Sequence, residues 1–323
     1  MMNRPEANHW TPLALALGYD WLLGEPPNAL HPVAWLGQLV TTLEQHAPYD
    51  APRAELLYGA GITVLTVGVA AGVGYGLERR LQALQRSVAG ASVGTIGLAM
   101  LLKTTFAART LIRAGTAVQR PLEAGDLNAA RQALRALVSR DTAQLDPSQL
   151  AAAAIESLAE NTSDSFVAPL LYYHCFGLGG ACAYRAVNTL DAMLGYHGRY
   201  EFLGKVPARL DDALNWLPAR LTGLLIVAAA SLAGARPRLA WRVLRNDHAR
   251  TASPNAGYPM SAIAGALDIC LEKVGHYRLH TAGRPPTPAD IQHAARLVSL
   301  TFGLTVIGLR LHWMCRRSND ARS

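Results

Sequence analysis

Charge is what this sequence has least of. Only 16% of its 323 residues are Asp, Glu, Lys or Arg, where a soluble domain carries about a quarter. Cysteine is sparse too. Cys175, Cys182, Cys270 and Cys315 form no CxxC pair, which argues against a patterned zinc site or a disulfide framework. No run alternates apolar and polar residues as a half-buried strand does. Neither GxxxxGK[ST] nor GxGxxG occurs, so a nucleotide would be held without either loop. No nucleic-acid module is recognisable, and Arg is scattered instead of forming one stripe, so no nucleic-acid partner is expected. The N-terminal apolar run, His9–Leu23, is broken by Asp20 and lacks an Ala-x-Ala cleavage site, so no removed signal peptide is expected.

What is present is grease in long runs. Half of the residues are hydrophobic. A bilayer crossing needs about twenty mostly apolar residues. Leu56–Leu77 meets that, is bounded by Glu55 and Glu78-Arg79-Arg80, and is rich in the Gly that lets helices approach closely. Ser87–Leu102 is short and reads as a thin or half-inserted helix. Ser165–Tyr184 is long enough but is made irregular by Pro169 and the GLGG at 177–180. Leu221–Ala235 needs Trp216 and the preceding turn to extend it, and Leu297–Leu309 needs snorkelling Arg296 and Arg310. The expectation is an all-α, polytopic integral membrane protein with irregular loops at the membrane edge, 1–323 forming one membrane-embedded domain.

Between Lys103 and Leu158 the pattern changes to Ala- and Leu-rich helical periodicity with regular Arg, which predicts a soluble helical insert over 103–158. Asp126 or Asn128 is placed to cap one of its helices, and Asp146-Pro147 to start another. The stretch 281–288 reads as a loop. Net charge is +7, and the positive-inside bias favours a cytoplasmic insert and tail, HWMCRRSNDARS.

Polar residues crowd against these apolar runs. Glu156, Glu160 and Asp164 come at four-residue spacing just before the uncharged stretch from Ser165. On a helix each step of four advances about 40°, so the three share a stripe and repel. A solvated acidic face is one reading. Carboxylates beside a low-dielectric wall also pair, bind metal or shift their pKa. A second cluster runs from Arg185, Asn188 and Asp191, spaced by three, to Arg209, Asp211, Asp212, Asn215 and Arg220. Arg there offers a rigid fork for phosphate or carboxylate, while an ion-pair network between helices is the plainer alternative. Ser253-Pro254-Asn255-Ala256-Gly257 is a turn whose N–H groups suit an anion. Asp20, Glu25 and His31 flank a Pro-rich turn, where His31 reads as more structural than catalytic.

Five pieces, GEPPNALHPVAWLG, ESLAENTSDSFVAPLLYY, YRAVNTLDAMLGY, ARLDDALNWLPARL and SPNAGYPMSAIAGAL, occur in an order that resembles the adenosylcobinamide-phosphate synthase (CobD/CbiB) family of cobalamin biosynthesis. They cover most of the chain outside 41–150 and the tail. The acid after the first Gly is often Asp in that family and is Glu25 here. The resemblance implies a multi-pass inner-membrane ligase. It would join adenosylcobyric acid to (R)-1-aminopropan-2-ol or its O-phosphate through an amide, with ATP as co-substrate, Mg²⁺ as cofactor, and contact with other cobalamin-pathway enzymes. On that basis Glu156, Glu160 and Asp164 are expected to hold Mg²⁺ and phosphate, with Asp211 or Asp212. Arg185, Arg209 and Arg220 would take phosphate, and Asn188, Asp191, Asn215, Ser253 and Asn255 would orient substrate. One of the carboxylates would take the amine's proton. A corrinoid transporter or membrane sensor that has kept the fold is the alternative.

Overall fold

The computed structural model describes residues 10–49, 51–87, 90–138, 141–196 and 198–320. His9, at the head of the first apolar run, and the last three residues of the tail lie outside them. In chain order the helices are α1 (Trp10–Leu22), α2 (Pro32–Glu44), α3 (Pro52–Leu84), α4 (Ala91–Lys103), α5 (Ala108–Ala117), α6 (Gln119–Glu123), α7 (Leu127–Leu134) and α8 (Pro147–Thr162). Then follow a π-helical turn, Ser163–Val167, and α9 (Ala168–Leu194), α10 (Lys205–Leu214), α11 (Trp216–Leu232), α12 (Pro237–Asp247), α13 (Gly257–Leu267) and α14 (Pro288–Asp320).

The all-α expectation holds for the described residues. To it the structure adds β1 (Leu271–Lys273) and β2 (Tyr277–Leu279), an antiparallel hairpin with Leu271 opposite Leu279. Three residues are too few for an alternating pattern to register in the sequence.

Among the described residues, four helical stretches are long and apolar enough to cross a membrane: Pro52–Leu84, Ala91–Glu123, Pro147–Leu194 and Pro288–Cys315. α10 and α11 pass the same test only together, as a pair bent by 46°. The protein is therefore a multi-pass membrane protein. The short run expected at Ser87–Leu102 is α4, which ends at Lys103; residues 104–107 leave the helix before α5 and α6 carry the apolar stretch on to Glu123. α3 presents bare apolar side chains, among them Leu57 and Val64, the latter 74% exposed, as a lipid-facing helix must.

The chain divides into two compact units. One comprises 1–107 with 168–214, the other 108–167 with 215–323. In the first, α3 packs on α9. The crossing is close: a Cβ at Gly74 would stand 2.8 Å from the Gly179 Cα. Two acids of α3 serve backbone groups that the helices leave open. Glu55 accepts the Leu203 N–H at 3.1 Å, and Glu78 accepts the Leu178 N–H at 3.0 Å. The second bond sits where Gly177, at φ 70° and ψ −164°, breaks α9. That conformation is essentially confined to glycine, and the Glu78 carboxylate meets an N–H that the break has orphaned.

In the second unit α8 starts where Asp146-Pro147 predicts. The Asp146 carboxylate accepts the Gln149 N–H at 2.8 Å, and the Gln149 side chain accepts the Asp146 N–H at 3.0 Å, a reciprocal capping box. Asp126 caps α7 through the Ala129 N–H at 2.9 Å. The residues Leu150–Ala159, Ala-rich and all buried, make α8 the centre of this unit, with α5, α13 and α14 against it.

Candidate active site

The acidic track lies in the second unit. Glu156 is buried, 5% exposed, while Glu160 and Asp164 are half-buried. The step from Glu160 to Asp164 crosses from α8 into the π-turn. Pro169 accounts for that widening: it has no N–H to give the carbonyl four residues back, and its ring would crowd that carbonyl. Turns of this kind recur at functional sites. The π-turn packs on α11 and α14, with the Phe166 ring 4.1 Å from that of Phe302. Two buried hydroxyls of this unit, Ser163 Oγ in the turn and Ser261 Oγ on α13, have no hydrogen-bond partner among the described residues. Among those residues, no three or more His, Cys, Asp or Glu side chains gather closely enough to hold a metal ion by themselves.

The loop before α13 spends on its own side chain two of the N–H groups expected to suit an anion. Ser253 Oγ accepts the N–H groups of Asn255 and Ala256 at 3.2 and 3.3 Å, and Thr251 Oγ1 donates to the Ser253 carbonyl at 2.7 Å. Asn255 is buried and meets Arg220 of α11, whose Nη1 donates to Asn255 Oδ1 at 3.1 Å and to the Trp216 carbonyl at 2.7 Å. The Arg220 guanidinium also lies 4.3 Å from the Trp216 ring and 4.3 Å from the Tyr258 ring. Its Nε and Nη2 have no protein acceptor among the described residues. A cation so clamped loses little freedom on meeting an anion. Asn215 is buried, and its carbonyl accepts the Ala219 N–H at the start of α11.

In the first unit Arg185, Asn188 and Asp211 come together. Arg185 Nη1 donates to Asn188 Oδ1 at 3.2 Å, and Asn188 Nδ2 reaches Asp211 Oδ1 at 3.5 Å, a weak bond that ties α9 to α10. Arg209 faces solvent, 78% exposed, 3.8 Å from Asp212. Asp191 is half-buried, one turn before the end of α9.

To Asp20, Glu25 and His31, which the sequence groups around the Pro-rich turn, the structure adds Lys103. Lys103, buried at the end of α4, has its Nζ 2.6 Å from Glu25 and 3.1 Å from Asp20, and donates to the Phe106 carbonyl at 3.1 Å. Asp20 is 2% exposed. His31 completes the group. Its Nδ1 accepts the Val33 N–H at 3.2 Å, capping α2, and its Nε2 lies 3.0 Å from Glu25. This fixes one tautomer, a structural role. Burial pushes the Glu25 carboxyl up, but hydrogen bonds from His31 and Lys103 outweigh it and hold the group below its usual 4.5. Beside the cluster runs an apolar groove of about 260 Å³, lined by Val33, Trp35, Val69, Val73, Thr105 and Arg185 among others. In the sequence Lys103 is only a lone Lys ending an apolar run; nothing local pairs it with acids some eighty positions earlier.

The family described as "CobD/Cbib protein" matches residues 13–298. The chain belongs to the CobD/Cbib family. Its relatives include "Cobalamin biosynthesis protein CobD" of Dehalococcoides mccartyi (strain CBDB1), 43% identical over 285 residues, 88% of this chain and 91% of that one. "Probable cobalamin biosynthesis protein CobD" of Methanothermobacter thermautotrophicus is 41% identical over 308 residues, 93% of this chain and 97% of the other. The protein of the same description from Thermococcus kodakarensis is 41% identical over 287 residues, covering 88% and 90%. No solved structure matches the chain. The family match takes in both units of this CobD/Cbib chain, with the acids, Arg220 and the Lys103 cluster all inside it.

Proposed function

We propose that this CobD/Cbib chain acts in cobalamin biosynthesis as an ATP-dependent ligase. It joins adenosylcobyric acid to (R)-1-aminopropan-2-ol or its O-phosphate to give adenosylcobinamide or its phosphate, in the cytoplasmic membrane. The relatives' names support the pathway. The observation that carries the chemistry is Arg220, held between two aromatic rings with three N–H bonds unspent, on the unit that bears the acidic track. A semi-buried, pre-set guanidinium of that kind suits phosphate or carboxylate oxygens.

A carboxylate resists an amine because it is anionic and has a poor leaving group. Transfer of the γ-phosphoryl group of ATP to a carboxylate oxygen removes both obstacles. The amine nitrogen then attacks the carbonyl carbon, phosphate departs with the oxygen, and a proton leaves the nitrogen. Within the second unit Arg220 neutralises the phosphates, Asn215, Ser253 and Asn255 orient the substrates, and Glu160 or Asp164 accepts the amine's proton.

The donor set fits Mg²⁺, which takes one or two carboxylates and completes its shell with phosphate oxygens and water. Glu156, Glu160 and Asp164 are hard-oxygen donors, half-buried to buried; one or two of them would hold it, since the three do not converge on one point. When bound it supplies charge neutralisation at the transferred phosphoryl group.

The test incubates the purified full chain with adenosylcobyric acid, aminopropanol phosphate, ATP and Mg²⁺, with mass spectrometry for the amide. Product that requires all four and is lost in Arg220→Gln supports the reading. No amide, with corrinoid flux instead in proteoliposomes, overturns it in favour of transport.

A further inference from the structure

The arginines that flank α12 in the chain are paired with acids. Arg236 is paired with Asp268, Arg250 with Asp247 at 3.0 Å, Arg278 with Glu272 at 3.3 Å and Arg284 with Asp290 at 2.7 Å. On α12 the pattern stops. Arg238 and Arg242 are exposed and have no protein partner among the described residues, and Arg245 has only the Trp241 ring, 5.9 Å away. Arg238, Trp241, Arg242 and Arg245 fall at helical spacings of three and four, so they share one face. Trp241 is 43% exposed there.

The opposite face of α12 is already used. Ala240, Val243 and Leu244 are buried against α13 and α11, and the fit is tight: a Cβ on Gly265 would stand 2.7 Å from the Ala240 Cα. α12 therefore has no spare apolar face to put into a bilayer or a partner. What it shows is three uncompensated guanidinium groups around an indole. It begins five residues after α11 ends at Leu232, and α11 is apolar, with Leu224 and Leu232 bare. A helix that follows a membrane-embedded segment so closely has little room to leave the interface. Trp and Arg are the residues that settle there, the indole among the headgroups and the cations on phosphate.

We propose that the outer face of α12 is a binding surface for anionic phospholipid headgroups, with Arg238, Arg242 and Arg245 on the lipid phosphates and Trp241 among the glycerol and acyl carbonyls. The surface is distinct from the residues assigned to ligation and holds whether or not that assignment does. Charge complementarity selects the occupant. Three unpaired cations on one face gain nothing from a zwitterionic headgroup, whose own ammonium compensates its phosphate. Each Arg close to an anionic surface contributes about fivefold in affinity, so roughly a hundredfold for the three.

Native mass spectrometry of the detergent-solubilised full chain tests this, with dioleoylphosphatidylglycerol or dioleoylphosphatidylcholine added as probe. Phosphatidylglycerol adducts should exceed phosphatidylcholine adducts. They should fall toward about one-hundredth in R238Q/R242Q/R245Q and persist when the same three positions are Lys. Equal retention of the two lipids, or undiminished phosphatidylglycerol on the Gln variant, overturns the proposal. So does displacement of the lipid by an equal concentration of inorganic pyrophosphate, which would mark a site for soluble phosphate. Should the Gln variant fail to fold, the unaltered chain decides by salt: the adducts must weaken as ionic strength rises, and adducts indifferent to molar salt refute the surface.

Discussion

Replacing Lys103 with Met tests whether the buried cluster is read correctly. Met keeps most of the length and apolar stem of Lys and removes only the ammonium. That ammonium lies 2.6 Å from Glu25 and 3.1 Å from Asp20. Asp20 is almost wholly enclosed, so its carboxylate cannot turn to water when the cation goes. Breaking a buried pair from one side costs about 3–5 kcal/mol, because a charge is left without its partner. At roughly 2–4 °C per kcal/mol, the melting temperature should fall by about 6–20 °C. The assay is thermal unfolding of the detergent-solubilised chain followed by circular dichroism. The decisive comparison is Lys103→Met/Asp20→Asn/Glu25→Gln. With both carboxylates neutralised, the triple variant should be more stable than Lys103→Met alone, since pairing energy is non-additive. If Lys103→Met melts within about 2 °C of the parent, or the triple variant is less stable still, the ion cluster does not hold α1 and α4 as described.

Arg220→Lys keeps the charge but loses the planar fork between Trp216 and Tyr258. One or two charge-assisted bonds at about 1.5 kcal/mol each should raise the KM for ATP or the phosphorylated amine roughly ten- to hundredfold; unchanged steady-state kinetics would discard the phosphate role. Gly177→Ala puts a side chain at φ 70°, against the Glu78 carboxylate. It should cost about 1–3 kcal/mol in thermal unfolding, whereas Gly72→Ala, with open space at its Cβ, should not. The Asp268 carboxyl is held below its usual 3.8, first by the hydrogen bond from His280 and, against burial, by Arg236. A depressed carboxylate contributes stability above the unfolded pKa and loses it as pH falls through the folded one. Protection of the 271–279 hairpin amides, corrected for the intrinsic exchange rate, should therefore be flat from neutrality down to about pH 5 and fall below pH 4. His280→Ala should shrink that acid-induced loss, and a loss of protection that begins near neutrality would contradict the assignment.

The parts of this protein written locally were legible before any coordinates. The span at Leu56–Leu77 follows from a continuous apolar run, and the starts at Asp126 and Asp146-Pro147 from caps that act within three residues. The irregularity after Asp164 follows from Pro169, which acts on the turn before it. Lys103, where the hydropathy run stops, also ends α4; its pairing with Glu25 and Asp20 is what no window on the sequence contains.

The acids at 156, 160 and 164 and the arginines at 185 and 220 were each visible as residues out of place in apolar surroundings. Their spacing gave the faces they share, because the helix repeat is fixed by the backbone. Tertiary structure alone decided which of them are held and by what. It put Tyr258 across from Trp216 to clamp Arg220, ran Asn188 to Asp211, and left α12's arginines without acids while pairing those around them. Helix periodicity and capping are short-range and survive in any context. Pairings between residues tens of positions apart exist only once packing has closed the loops between them.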